Sequence, residues 1–464
     1  MQDGTILQKA FLVWSVLATT TSLAVGYFFG PEAAAIPIAV LLAVFAFGVL
    51  ASAGGPRPRI SASPSSTATA SATATETSSA KFQGMAFYVM AAIVVRLIVG
   101  IFLNLTELAT SLAPDSIGYY WYGRAIAGAW KYGRVDPAAM AGYQPLSFYQ
   151  NLNGVAAYFV GEATPLVLSG LNAFVGTFAA WLVSRLALEM YGPIAARRAF
   201  MLTAFFPSMI LWTSLNLRES WAFVAVMGSV LSLYRLRARF SAKDLFYFAL
   251  CMGFLPFIRT YMLALVAAGV IASFLVVSVR QLPYAIVTLI VVALMLRSAS
   301  SAFDLDTKLD PYRQLEKMQS MKEGLSSGSS GYHEDVDISS PGAALLYLPL
   351  GSIYFLFSPF PWTVEKPRQA LASLEATIWF FFFLGACREI LRSIRTRFSH
   401  VVLPLMVTLV VTAAYSLVEG NEGTAYRHRS MVLIFYFVFA AGDYAHRRTS
   451  ARSFSGDPRL LSST

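Results

Sequence analysis

The chain has 464 residues, of which 56% are hydrophobic and only 13% charged, against about 25% charged in a typical soluble domain. Its mean hydropathy is +0.59, and several apolar runs approach the roughly 20 residues that cross a bilayer; this excludes a soluble globular enzyme, and without many short alternating runs it excludes a membrane barrel. The net charge of +10 does not imply nucleic acid as a partner, because Arg and Lys cluster in short loops between apolar runs, as the positive-inside bias requires.

The expected fold is therefore all-α: a polytopic transmembrane helical protein with about eleven or twelve spans. Residues 1–50 read as an N-terminal transmembrane hairpin turning at Gly30-Pro31. The first residues lack a basic n-region, so that first run reads as a retained helix rather than a signal peptide. Residues 51–81, rich in Ala, Ser and Thr, read as a disordered linker, and Arg57, Arg59 and Lys81 place it in the cytoplasm. Residues 82–105 cross outward with Arg96 at mid-span, which must face protein or a polar cavity.

The first outer loop, 106–150, holds the most informative stretch, Pro114 to Arg134. Asp115 or Ser116 is placed to cap a helix there. Asp115, Tyr119 and Tyr122 share one face of it, while Ile117, Tyr120, Trp121 and Ala125 lie on another. Such a helix lies at the membrane surface with its rings at headgroup depth. Residues 145–160 read as a second interfacial helix. Spans follow at 165–188, 199–215, 220–234, 245–279 and 282–297; the fourth of these contains Pro256 and Arg259 and reads as two spans meeting at an outer turn. These complete a transmembrane core over 82–297. Residues 298–362 read as an extracytoplasmic loop ending in a re-entrant segment at 342–358, because Pro349, Pro359 and Pro361 disfavour a clean crossing. The C-terminal spans, within 363–446, are expected at 371–386, 401–418 and about 430–445, with a cytoplasmic tail over 447–464. Cys251 and Cys387 sit in or beside apolar runs and suggest neither a disulfide framework nor a metal cluster.

On this topology the polar clusters outside the basic loops share the outer face. They are Asp115, Arg124, Arg218-Glu219, Arg259, the acidic run His333-Glu334-Asp335 with Asp337, Glu419, Glu422 and Arg427-His428-Arg429. Carboxylates serve as general bases or metal ligands, and guanidinium groups hold phosphate oxygens in pairs. Each feature also has a plain structural reading. Asp115 can be only a helix cap, Arg218-Glu219 an ion pair in a turn, Arg259 a cation reaching for lipid headgroups, and the acidic run a solvated loop.

Several blocks resemble the GT-C class of integral-membrane glycosyltransferases. They are Pro114-Asp115 with Tyr119-Tyr120 and Arg124-Ala125; Gln144 to Tyr149 with Leu171 to Phe174; Phe206-Pro207-Ser208 running to Arg218-Glu219; Phe257 to Thr260; and Tyr426 to Arg429. The resemblance covers about 82–280 and 419–442. It implies sugar transfer from a polyprenyl-phosphate donor to a glycan or lipid-linked acceptor on the extracytoplasmic side of the inner membrane, in envelope or exopolysaccharide assembly. It implies Asp115 as the catalytic or metal-binding carboxylate, with Mg or Mn as a possible cofactor. Charge chemistry, rather than the resemblance alone, then assigns donor-phosphate binding to Arg218, Arg259, Arg427 and Arg429, with Arg124, Glu219, His333, Glu334 and His428 as supporting candidates. Two other readings stand beside it: an O-antigen-type polymerase or ligase using a lipid-diphosphate-linked donor, and a lipid-linked sugar flippase or transporter.

Overall fold

The computed structural model describes residues 69–106, 108–133, 143–144, 146–274, 282–303, 311–326, 330–333 and 335–454. The N-terminal hairpin, and Glu334 of the acidic run, lie outside the described residues. The protein is an all-α polytopic membrane protein, with no strand among the described residues. Among the described residues, four helices are long and apolar enough to cross a membrane, or five if one bent pair is a single span. Two of the four are broken internally, at Arg259 and Arg397. The chain divides into two compact units, residues 1–178 with 213–220, and residues 179–212 with 221–464.

In the first unit, α1 (Thr69–Leu105) starts well inside the stretch read as linker. Over 69–81 Ser and Thr outnumber Ala, so intrinsic propensity alone does not favour the helix there. Arg96 is fully buried; its Nε donates to Thr213 Oγ1 at 2.8 Å and its Nη1 to the Ala92 carbonyl at 3.2 Å. The mid-span charge therefore faces protein, as the sequence requires. After α2 (Leu108–Leu112), α3 runs over Pro114–Tyr132 and ends at Gly133 in the left-handed conformation. Its N-cap is Ala113, whose methyl side chain has no acceptor for a cap bond, and Pro114 takes the first helical position. Asp115 is thus a first-turn residue and not the cap. The buried face of α3 is Ser116, Tyr119, Gly123, Ile126 and Ala127, whereas Asp115 is exposed.

Ser147 caps α4 (Phe148–Val160), and its side chain accepts from the Gln150 amide. The α3–α4 crossing depends on two glycines. A Cβ on Gly123 would stand 2.7 Å from the Asn153 backbone, and one on Gly154 would stand 2.6 Å from Ile126. α5 (Thr164–Tyr191) supplies Asn172. Its Nδ2 lies within bonding distance of the carbonyls of Leu215 (2.6 Å) and Leu217 (2.7 Å) and of the Tyr149 hydroxyl (2.8 Å). Tyr149 donates to Asn216 Oδ1 at 2.8 Å, and Asn216 to Asn153 Oδ1 at 2.9 Å. These bonds satisfy the buried turn that carries Arg218 and Glu219.

In the second unit, α6 (Pro193–Phe205) and α7 (Pro207–Thr213) meet at a 61° bend. α8 (Glu219–Ala238) leads to α9 (Ala242–Phe274), which breaks at Arg259 (φ −150°, ψ 99°). Pro256 lacks an amide and crowds the preceding turn, so the break falls beside it. α10 covers Leu282–Phe303. The following segment was expected as a polar loop, yet Pro311–Ser326 forms a helix, α11. Its Leu315 and Met318 pack on Ile338, Ala344 and Tyr347, and Gln319 Oε1 accepts from the Ile338 amide at 2.8 Å. α12 (Pro341–Phe357) is apolar but only 17 residues long. α13 (Pro367–Val418) breaks at Arg397, and α14 is Glu422–Phe454. Residues 431–441 of α14 are buried on all sides, which makes this helix the centre of the unit.

Candidate functional site

The second unit gathers the residues of three distant sequence blocks around the start of α14. Backbone bonds tie the 330–332 segment to the turn before α14: the Tyr332 amide donates to the Gly420 carbonyl at 2.7 Å, and the Glu422 amide to the Ser330 carbonyl at 3.0 Å. Lys322 of α11 holds the same segment by donating from Nζ to the carbonyls of His333 (2.7 Å) and Val336 (2.8 Å).

Arg429 is the centre of the arrangement and is 1% exposed. Its Nε donates to the Phe355 carbonyl at 3.1 Å, and its Nη2 to the carbonyl of Ser358 at the end of α12. Glu375 of α13, itself buried, acts on it electrostatically, as do the phenols of Tyr426 and Tyr332. Tyr426 donates to Glu375 Oε2 at 2.7 Å. Three buried polar atoms around this guanidinium have no hydrogen-bond partner among the described residues: Arg429 Nη1, the Tyr332 hydroxyl and Ser358 Oγ. All three can donate. Leaving a buried donor unmet costs about 1–3 kcal/mol each. Burial pushes the Tyr332 phenol well above its ordinary range, with Glu419 adding to the rise and Arg429 opposing it.

A second line of contacts starts at the α9 break. Arg259, 3% exposed, donates from Nη1 to the Tyr261 hydroxyl at 2.6 Å. That hydroxyl lies 3.1 Å from the hydroxyl of Tyr415. The Tyr415 ring stacks on Phe355 (centroids 5.5 Å) and on His428 (5.0 Å, 27° between planes). His428 Nδ1 bonds Glu419, whose carboxylate is buried. Arg427 lies over the Trp212 ring at 5.9 Å. Glu422 accepts from Gln369 at 3.0 Å, and burial raises its carboxyl above the usual range.

Of the residues singled out in the sequence, Arg259, His333, Arg427, His428 and Arg429 all belong to this unit. Asp115, Arg124, Arg218 and Glu219 belong to the first. There Arg124 is exposed and bonds Tyr120 (3.0 Å) and Glu162 (3.3 Å), Arg218 is half-buried, and Glu219 is buried. Sequence reading missed Glu375, Tyr332, Ser358 and Tyr415. Glu375 carried the one available signal, a carboxylate inside an apolar run, where such a charge requires a partner. Among the described residues no three His, Cys, Asp or Glu side chains converge to hold a metal ion, so no step is assigned to one.

No known protein family matches the chain, and no curated protein matches it. Among solved structures, the chain is similar to the archaeal oligosaccharyltransferase AglB from Archaeoglobus fulgidus, determined in complex with an inhibitory peptide and a dolichol-phosphate. The identity is 15%, the TM-score 0.42, and the match covers 76% of this chain and 50% of that one. The chain thus spans about half the length of that protein.

Proposed function

We propose that the protein is a membrane glycosyltransferase that moves a sugar from a polyprenyl-phosphate donor to a glycan or lipid-linked acceptor. Its place on this reading is the extracytoplasmic face of the inner membrane, in envelope or exopolysaccharide assembly. One observation carries the reading: the unmet donors of Arg429, Tyr332 and Ser358 lie together at the buried start of α14. A phosphate oxygen is the acceptor that suits them, since it accepts several bonds and its charge answers the guanidinium. The same donors stabilise the phosphate as it leaves, when its negative charge grows. Nucleotide sugars are absent outside the cytoplasmic membrane, so a lipid-borne donor is the form of sugar available there. Arg259, a second buried guanidinium in the same unit, favours a second reading, in which the donor carries two phosphates.

The test is binding of polyprenyl phosphate to the full-length protein in nanodiscs, compared with polyprenyl diphosphate and with the uncharged polyprenol. We expect phosphate to improve binding about ten- to a hundredfold, the worth of one or two charge-assisted bonds. Arg429→Gln removes that advantage, and Ser358→Ala, a smaller change, reduces it. Preference for the diphosphate selects the second reading.

A further inference from the structure

The proposed transfer needs a group that takes the acceptor's proton, and the second unit contains one that the sequence offered only as a supporting residue for the phosphate. His428 stands in the second turn of α14 and keeps 21% of its side chain exposed. Behind it Glu419 is 1% exposed and has both oxygens occupied: Oε2 accepts from Thr424 Oγ1 at 2.6 Å, and Oε1 faces His428 Nδ1. An ionised carboxylate accepts and does not donate, and facing a neutral imidazole it accepts the bond from Nδ1–H and leaves the lone pair on Nε2. Nε2 has no hydrogen-bond partner among the described residues. Tyr415, stacked on the ring and held through Tyr261, restrains the imidazole from turning.

We propose that His428 is the general base of the transfer and that Glu419 is its positioning residue; this rests on the glycosyl-transfer reading. The acceptor hydroxyl gives its proton to His428 Nε2 as its oxygen bonds to the anomeric carbon. The bond from that carbon to the phosphate oxygen breaks, and its electron pair leaves with the polyprenyl phosphate. The imidazolium formed beside Glu419 is stabilised by the carboxylate and then loses its proton to water. The arrangement follows the logic of a carboxylate-oriented histidine, in which the acid fixes tautomer and angle without accepting the proton itself.

The experiment uses full-length protein in nanodiscs and a panel of polyprenyl-phosphate hexoses, with release of polyprenyl phosphate measured against pH. His428→Gln should lower kcat about a hundred- to ten-thousandfold, leave the donor KM within about threefold and abolish the acid limb of the profile. Glu419→Gln should lower kcat and change the position of that limb, and Glu419→Asp should restore part of the loss. Asp115→Asn is the rival variant. If it removes turnover and the acid limb while His428→Gln keeps about half of the wild-type rate or more, the proposal is overturned and glycosyl transfer stands. Wild-type protein that transfers from no donor strikes the function reading itself. The tautomer is read without activity by 15N NMR of the chain's four histidines, the His428 signal being the one lost in His428→Gln. A proton on Nδ1 supports the assignment, and a proton on Nε2 overturns it.

Discussion

The hydroxyls of Tyr261 and Tyr415 meet at 3.1 Å, and through them the arginine at the α9 break is joined to the imidazole at the start of α14. Arg259 has its bond to Tyr261 at 2.6 Å, and the ring of Tyr415 lies on His428. On the proposed reading these two segments, far apart in sequence, act on the same donor, and this contact holds them in register. Tyr261→Phe should therefore weaken polyprenyl phosphate binding about three- to tenfold, the worth of roughly one hydrogen bond. Because Tyr261 is 40% exposed, the melting temperature should stay within about 2 °C of wild type. Titration calorimetry beside a thermal melt checks both.

His333 predicts a pH dependence of stability. Its ring sits among Tyr354 (4.1 Å), Tyr332 (5.4 Å) and Tyr347 (5.8 Å). Burial there, followed by the Lys322 ammonium, lowers the imidazole below its ordinary value of 6.5. Protonation is then harder in the folded state than in the unfolded one. The contribution of His333 is intact above the ordinary value and is lost as pH falls through the lowered folded value. His333→Asn suits the backbone, since φ is 52° and Asn tolerates the left-handed region. Between pH 7.5 and 5 the wild type should lose more thermal stability than His333→Asn, and melts of the two proteins across that range give the comparison.

Glu389 holds a different part of the second unit. The carboxylate is fully buried and accepts from Arg392 (2.9 Å), Ser393 (2.8 Å) and Arg397 (3.0 Å), with His446 Nδ1 at 2.7 Å. This network joins the α13 break to α14. Removing one partner of a fully buried pair costs about 3–5 kcal/mol. Here Arg392 and Arg397 keep 41% and 30% of their side chains in solvent, so Glu389→Gln should cost less, about 1–3 kcal/mol. Chemical denaturation in detergent checks this, and polyprenyl phosphate binding should be unchanged at temperatures where the variant is folded.

The helical membrane class was legible in the sequence because apolar run length and loop charge are local quantities. The break at Arg259 was legible as well, since Pro256 announces it. Arg427-His428-Arg429 could be singled out as charges where an apolar span begins. Their partners could not: Glu375 lies 51 positions from Tyr426, and Phe355 lies 74 from Arg429. Such pairings depend on helix packing, which no window of sequence contains. α11 was missed because its sequence is mostly polar, and the pairing of its Leu315 and Met318 with the Ile338 cluster is set by packing between distant segments. The cap offered to Asp115 or Ser116 failed for a local reason, as the helix already starts at Pro114 with Ala113 at the N-cap.

The most direct measurement is the affinity of polyprenyl phosphate relative to the matching polyprenol, for wild-type protein and Arg429→Gln in the same nanodiscs. The account predicts that wild type favours the phosphate about tenfold or more, and that a folded Arg429→Gln protein binds the two lipids equally. Equal binding by the wild type, or a phosphate preference that survives in the folded variant, would contradict it.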